Sequence, residues 1–358
     1  MKGQKYGCHR VLEPANSLPQ PAQTLNPDLP IYDNELLINV ERLNIDSASF
    51  LQLKSTANHH EVHSNEKHIA DQILAIVRER GKLHNPVTGS GGMLIGTVKE
   101  KGRHYPSEKL KIGERIASLI SLTLTPLYIE EILSVDLDTA QVEVKGHAIL
   151  FESSPYAVLP QDIPEALALG ALDVCGAPAQ VQQLVKEGDT VLVLGAGGKS
   201  GLLATYQAKK SVGEQGRVIA VEYGEESCAS LRKLKLADEV LQADATQAME
   251  LYDKVVSATT GMLADVVINC VNVPHTEMTS ILCTKEGGIT YFFSMATSFT
   301  AAALGAEGVG KDIQLMIGNG YTRGHAELTL GLLRESQSLQ EYMLGKYVNY
   351  PPLNTKGI

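Results

Sequence analysis

The chain has no tryptophan, and aromatic residues make up only 5% of its 358 positions; neither fact decides the fold. The cysteines exclude more. There are five, Cys8, Cys175, Cys228, Cys270 and Cys283, widely spaced and with no C-x-x-C pair. An odd, scattered set argues against a disulfide framework and against a cysteine-rich structural zinc site. Cys270 and Cys283 lie in apolar stretches and read as inert core residues. No apolar run reaches the ~18 residues needed to span a bilayer, so no membrane is expected as a partner. No sustained basic run exists and the net charge is −10, so nucleic acid is not an expected partner. Residues Met1 to His9 carry charge with no apolar segment behind them, unlike a secretory signal, and a cytoplasmic location is expected. Internal repeats are also missing.

What is present suits a globular enzyme. Hydrophobic content is 44% and charged content 20%, and the length allows two domains. The N-terminal part is rich in turn residues, with strand-like runs at 35–41, 93–98, 115–120 and 140–145. A helix is expected over Glu66–Arg80, with Ile69, Ile73, Leu74 and Val77 on one face. From about Pro160 apolar strands alternate with helices. Strands are expected at 190–194, 217–222, 239–242, 265–271, 288–293 and 313–317, with helices between most of them and closing helices over Leu328–Tyr347. That alternation predicts an α/β fold, a parallel sheet covered on both faces. The expected boundaries are 1–155 with 330–358 for a β-rich domain, and 156–329 for the parallel-sheet domain.

One stretch carries most of the functional information. Val191 to Leu194 reads as a buried strand, Gly195, Gly197, Gly198 and Gly201 follow, and a helix begins. A strand, a tight glycine turn and a helix N-terminus make a pyrophosphate site, so this is a Rossmann-type dinucleotide turn. Gly195, Gly197, Gly198, Lys199, Ser200 and Gly201 are the candidate cofactor residues. The frame is unusual, because Ser200 holds the third fingerprint position and Gly201 comes one later. Gly198-Lys199-Ser200 also resembles the end of a P-loop, but Val193 stands where that motif needs glycine. The next strand ends at Glu222, placed to meet the adenine ribose hydroxyls and to repel a 2′-phosphate. NAD is the expected cofactor; Lys209, Lys210 or Arg217 leaves NADP open. Ligands lie beyond strand C-termini in such sheets, which adds Asn272 and Ser294 as cofactor contacts.

The order of parts resembles the medium-chain dehydrogenase/reductase superfamily. The stretches that carry the likeness are Leu36–Asp46, Pro86–Val98, Lys111–Ala117 and Glu187–Leu194. The resemblance implies a GroES-like catalytic domain beside the Rossmann domain, and a homodimer. The departures matter as much. Asp46 stands where zinc members carry a cysteine ligand, Gly89-Ser90-Gly91 replaces their Gly-His-Glu, and their cysteine-rich lobe is missing. A catalytic zinc needs three protein ligands, so none is expected. The strings Tyr6–Pro14, Pro86–Gly96 and Val193–Gly201 are more specific. They resemble a zinc-free family of bacterial lysine fermentation, which implies NAD-dependent oxidative deamination of a small diamino acid.

That chemistry needs a base to free the amine, and anions near the ammonium groups. Asp46 is the first candidate for base or anchor; its other reading is a helix cap, since Asp46-Ser47-Ala48-Ser49 can open a helix. Asp173 lies near the place where zinc members supply another ligand. It is expected inside an apolar helix, where burial would raise its pKa, or else as a helix-end carboxylate. Ser90 takes the lost histidine position, within a glycine-driven turn. Glu152 and Tyr156 lie at the expected domain junction and could contact substrate. Arg10 is either a carboxylate clamp or a salt-bridge partner, and Cys175 reads as core. His59, His60, His63 and His68 invite a metal reading, but Ser64 holds the place of the second histidine of H-E-x-x-H, so a polar segment is expected. Two alternatives stay open: a zinc-free quinone, enoyl or carbonyl reductase of the same superfamily, and a non-catalytic NAD(H)-sensing protein.

Overall fold

A computed structural model describes residues 1–55, 62–318 and 320–347. His59, His60 and the tail from Pro351 lie outside the described residues, as does the side chain of His63. Up to Gln161 the described residues form one compact unit, and from Asp162 onward they form a second.

The first unit runs β1 (Val11–Glu13), β2 (Thr24–Leu25), β3 (Leu36–Asn44), α1 (Ser47–Ser55), α2 (Val62–Arg80), β4 (Met93–Lys101), β5 (Arg115–Ser118), β6 (Leu127–Asp136), β7 (Gln141–Leu150) and β8 (Tyr156–Val158). β1 and β2 pair with each other, and the rest form an antiparallel sheet in the order β6-β7-β3-β4-β5-β8. Leu36, Ile38, Val40 and Leu43 of β3 are buried in its core with Leu94, Val98, Val142 and Val144. Ile69, Ile73 and Val77 recur every fourth residue along α2 and enter the same core, with Leu74 packed at its margin. The helix covers β6, a strand absent from the expected set.

An ion pair knits the N-terminal segment into this unit. Arg10 Nε and Nη2 donate to the two oxygens of Glu35 at 3.0 and 2.7 Å, and Nη1 donates to the Asp28 carbonyl at 2.5 Å. His9 lies 2.7 Å from the same carboxylate. Both Arg10 and Glu35 are buried. The donors hold the Glu35 carboxyl down from 4.5 to about 2, against the opposing effect of burial. Arg10 is therefore a structural ion-pair partner, committed to the fold.

The second unit runs α3 (Glu165–Leu172), α4 (Gly176–Leu184), β9 (Thr190–Leu194), α5 (Lys199–Val212), β10 (Arg217–Glu222), α6 (Glu225–Leu234), β11 (Glu239–Gln242), α7 (Ala248–Ala258), β12 (Ala264–Asn269), α8 (Glu277–Cys283), β13 (Thr284–Phe292), α9 (Phe299–Gly308), β14 (Gln314–Ile317), α10 (His325–Glu335) and α11 (Gln337–Tyr347). Its strands form one parallel sheet in the order β11-β10-β9-β12-β13-β14. Val191 to Leu194 are fully buried, as the uninterrupted apolar run requires of a strand covered on both faces. The chain leaves β9 toward β10 and later returns to its other side as β12. That reversal opens a crevice at the strand C-termini, where Leu194 and Asn269 end. Among the described residues no helix is long and apolar enough to cross a membrane.

One boundary is corrected. Residues from 330, expected with the β-rich domain, belong to the second unit, where α10 packs on α3, α4 and α5 and α11 packs on α3. Leu330, Leu332, Leu333, Leu339 and Met343 are buried there, so the apolar faces of the closing helices complete the parallel-sheet layer.

Candidate active site

The glycine turn follows β9 directly. Gly195 has φ +74° and lies against Cys270 and Val271, where a Cβ would come within 3.1 Å of backbone atoms. Conformation and space both demand glycine there. At Gly201 a Cβ would run into the Gly195 carbonyl oxygen, so this residue, and not Ser200, permits the close approach of α5 to the strand. Gly198 caps α5 and is exposed, at the positive end of a helix whose first N–H groups have no partner within the helix. Glu222 faces the turn: its Oε2 accepts from the Gly197 N–H at 2.7 Å and its Oε1 from the Tyr223 N–H at 2.9 Å. The positive-φ turn, the helix end and the adjacent carboxylate fit a dinucleotide. Lys199 turns back from the turn and ion-pairs Asp173 at 2.8 Å.

At the neighbouring strand ends, Asn272 is exposed and Ser294 is half-buried. The Ser294 hydroxyl accepts from the Ala296 N–H at 3.1 Å. The residue that organises this edge is Asn269. It is fully buried, donates to Thr276 and Ser280 at 2.8 and 2.9 Å, and accepts from the Val271 N–H. Its carbonyl also receives the Phe293 N–H. A polar side chain closing an apolar strand was its only sequence signal. Lys346 and Tyr347 gave none: at the end of α11 both donate to the Gly197 carbonyl, at 3.0 and 2.8 Å, across about 150 residues of chain.

Asp46 opens α1, and its two oxygens differ. Oδ1 accepts from the Ser49 N–H at 2.9 Å, so the cap reading holds. Oδ2 is buried and has no hydrogen-bond partner among the described residues. Ser90 belongs to the loop that lies alongside. Gly92 packs against Ile45 and the Asp46 amide, with φ +87°. Thr88 and Ser49 share a hydrogen bond of 2.6 Å, and Asn85 donates to Gln52 at 2.8 Å. The Ser90 backbone is bound on both sides, its N–H to Thr88 Oγ1 and its carbonyl to the Asn85 N–H. Asp46 and Ser90 are therefore stitched into one loop cluster of the first unit.

Glu152 sits elsewhere in that unit, accepting from the Asn34 amide at 3.1 Å. Its charge, together with burial and Tyr156, raises the Tyr105 phenol. Asp173 is corrected in its setting. α3 ends at Leu172, and Asp173 caps it with a side chain 48% exposed and paired to Lys199, so the helix-end reading holds and the buried setting is not found. Cys175 and Cys283 are buried, and their thiols are pushed up to about 12, which makes both poor nucleophiles. Among the described residues no three His, Cys, Asp or Glu side chains gather as a metal site requires.

Similar proteins place this architecture. A mycobacterial quinone oxidoreductase aligns at TM-score 0.55 with 19% identity, covering 87% of this chain and 82% of that one. Alcohol dehydrogenase TADH from Thermus sp. ATN1 aligns at TM-score 0.52 with 15% identity, covering 89% of this chain and 87% of that one. These likenesses show the fold alone, one shared with a quinone oxidoreductase and an alcohol dehydrogenase. Sequence relatives are much nearer. The L-erythro-3,5-diaminohexanoate dehydrogenase of Acetoanaerobium sticklandii is 56% identical over 94% of this chain and 97% of its own length. The protein of the same name from Fusobacterium nucleatum subsp. nucleatum is 54% identical over 95% of this chain and 97% of its own. Residues 9–160 match the L-erythro-3,5-diaminohexanoate dehydrogenase N-terminal domain. With identity of this order running through both units, the chain belongs to the L-erythro-3,5-diaminohexanoate dehydrogenase family.

Proposed function

We propose that this protein oxidises L-erythro-3,5-diaminohexanoate at C3 with NAD and water, releasing 5-amino-3-oxohexanoate, ammonia and NADH. Lysine fermentation in the cytoplasm is the proposed setting. The named relatives support the substrate. The observation that carries the chemistry is the buried Oδ2 of Asp46, an acceptor with no donor among the described residues. Such an oxygen gains most from a charged N–H donor, which a substrate ammonium supplies.

In this reading Asp46 takes a proton from the C3 ammonium at Oδ2, leaving a neutral amine. A bound nicotinamide supplies the hydride acceptor for the C3 hydrogen. Water then adds to the substrate iminium and releases one proton to solvent; Asp46 returns its proton to the nitrogen, and ammonia leaves as the new hydroxyl gives its proton to solvent. Ser90, in the same loop cluster, hydrogen-bonds the substrate. Glu152 is not the second anion in this reading: it is held by Asn34 before the start of β3, whereas Asp46 follows the far end of that strand, roughly 30 Å of extended chain away. Asp173 acts through Lys199, holding that side chain at the head of α5. Gly195, Gly197, Gly198, Ser200 and Gly201 hold the pyrophosphate, and Glu222 the adenine ribose, which favours NAD over NADP. Asn272 and Ser294 border the nicotinamide half.

The proposed assembly is a homodimer built on β14, the outermost strand of the parallel sheet. Ile317 on it and Phe299 and Leu304 on α9 are exposed. An open strand edge flanked by apolar side chains suits pairing with a second copy.

The test is NADH formation from 3,5-diaminohexanoate with NAD and then NADP, with EDTA present. Turnover that persists in EDTA is expected, because Asp46 stands in the place of a zinc ligand. Binding of NADH without turnover of the diamino acid would overturn the substrate.

A further inference from the structure

We infer that Lys346, at the C-terminal end of α11, binds a phosphate of the dinucleotide. The assignment rests on the cofactor seating at the Gly195–Gly201 turn. Its ammonium lies 3.0 Å from the Gly197 carbonyl, 3.2 Å from the Tyr342 hydroxyl and 3.4 Å from Ser227 Oγ. It is also 5.5 and 5.6 Å from the ring centroids of Tyr342 and Tyr347. Every one of these partners is neutral. Among the described residues Lys346 has no carboxylate within ion-pair distance, a lack it shares in this unit with Lys186, Lys233, Lys235 and Lys311; what sets Lys346 apart is its place on the carbonyl of the glycine turn. Glu222, the nearby acid, is held by the Gly197 and Tyr223 N–H groups instead.

The position makes this imbalance informative. Gly197 precedes the cap of α5, and Ser227 lies in the first turn of α6. Two helix N-termini therefore converge on the ammonium. Helix N-termini repel cations and attract anions. A half-buried cation placed there, with the nearby acid Glu222 engaged by two N–H groups and not in direct contact, is poorly compensated. An arriving phosphate reverses the balance, because the ammonium and both helix ends then face one anion. The two tyrosine rings and the Gly197 carbonyl hold the lysine at the turn until the phosphate comes.

The chemistry recognised is a phosphate oxygen, either of the pyrophosphate or of a 2′-phosphate. The experiment is fluorescence titration of the full-length protein and its Lys346→Gln and Lys346→Arg variants with NADH and with NADPH. Glutamine removes the charge and keeps a polar N–H donor on a side chain one bond shorter than lysine's. Binding about tenfold or more weaker is expected for Lys346→Gln, with most of it restored in Lys346→Arg. An equal loss for both cofactors assigns the pyrophosphate, and a larger loss for NADPH assigns the 2′-phosphate. Unchanged dissociation constants overturn the assignment, whatever happens to the melting temperature. Should Lys346→Gln not fold, acylation of Lys346 in the wild type, read by mass spectrometry, replaces it. NADH is expected to protect the amine, and no protection overturns the proposal. A wild type that binds neither cofactor defeats the seating itself; a wild type that binds beside an unaffected variant defeats this assignment alone.

Discussion

At Asp46 one carboxylate oxygen caps α1 and the other has no partner among the described residues, so two substitutions separate folding from the proposed chemistry. Asn is as good a cap as Asp. Asp46→Asn should leave thermal stability nearly unchanged while kcat falls by ~10²–10⁴, the scale of a lost general base. Asp46→Ala should add a stability loss of about 1 kcal/mol from the missing cap. If Asp46→Asn raises KM and spares kcat, the residue is an ammonium anchor and not the base. A second residue-scale expectation concerns Glu35. Its folded-state pKa is depressed to about 2 from 4.5. Its stabilising effect is therefore complete above about pH 4.5 and is lost as pH falls through about 2. Urea midpoints measured down that range should drop, and the drop should shrink in Glu35→Gln. At neutral pH Glu35→Gln leaves Arg10 buried without its counter-charge, a cost of about 3–5 kcal/mol. What was legible in the sequence was local pattern: a glycine turn after β9 and an acid at the end of β10, which the fold brings together. The partner of Arg10 and the exposure of Asp173 were not, because each depends on where a distant segment lands.

The same distinction holds for elements. Gly201 must be glycine because α5 crosses β9 at the Gly195 carbonyl. Gly201→Ala should push the helix off the strand, costing about 1–3 kcal/mol and weakening dinucleotide binding. Gly198→Ala is the control for the fold: its Cβ would have no neighbour nearer than 3.6 Å, so the melting temperature should hold. The strands of the parallel sheet were legible because each is a short apolar run bounded by turn residues. β6 was not. Its register shifts between Ile129 and Glu131 and again between Ile132 and Ser134, so apolar and polar residues do not alternate with a period of two. α9 was missed for a different reason. Only Ala302 is buried along it, and glycine at 305 and 308 blurs its periodicity.

For the whole molecule, the order of a β-rich part before a parallel-sheet part was written in the change of texture near residue 160. The place of α10 and α11 was not, since a helix face shows that it is buried but not against what. The proposed dimer gives the expectation at this scale. Light scattering should report twice the chain mass of 38.6 kDa. Ile317→Lys, which sets a charge on the open edge of β14, should reduce it to the monomer without unfolding the protein. A single chain mass for the wild type would remove the dimer. The divided duty of Asp46 reaches beyond this chain. If Asp46 is the proposed base, a descendant with asparagine there would keep the helix, the glycine turn and a normal melting curve, and would turn over its substrate ~10²–10⁴-fold more slowly. Such a crippled enzyme would be invisible to shape and to overall identity alike, so membership in this fold reports ancestry, and on the proposed mechanism a single oxygen atom would report catalysis.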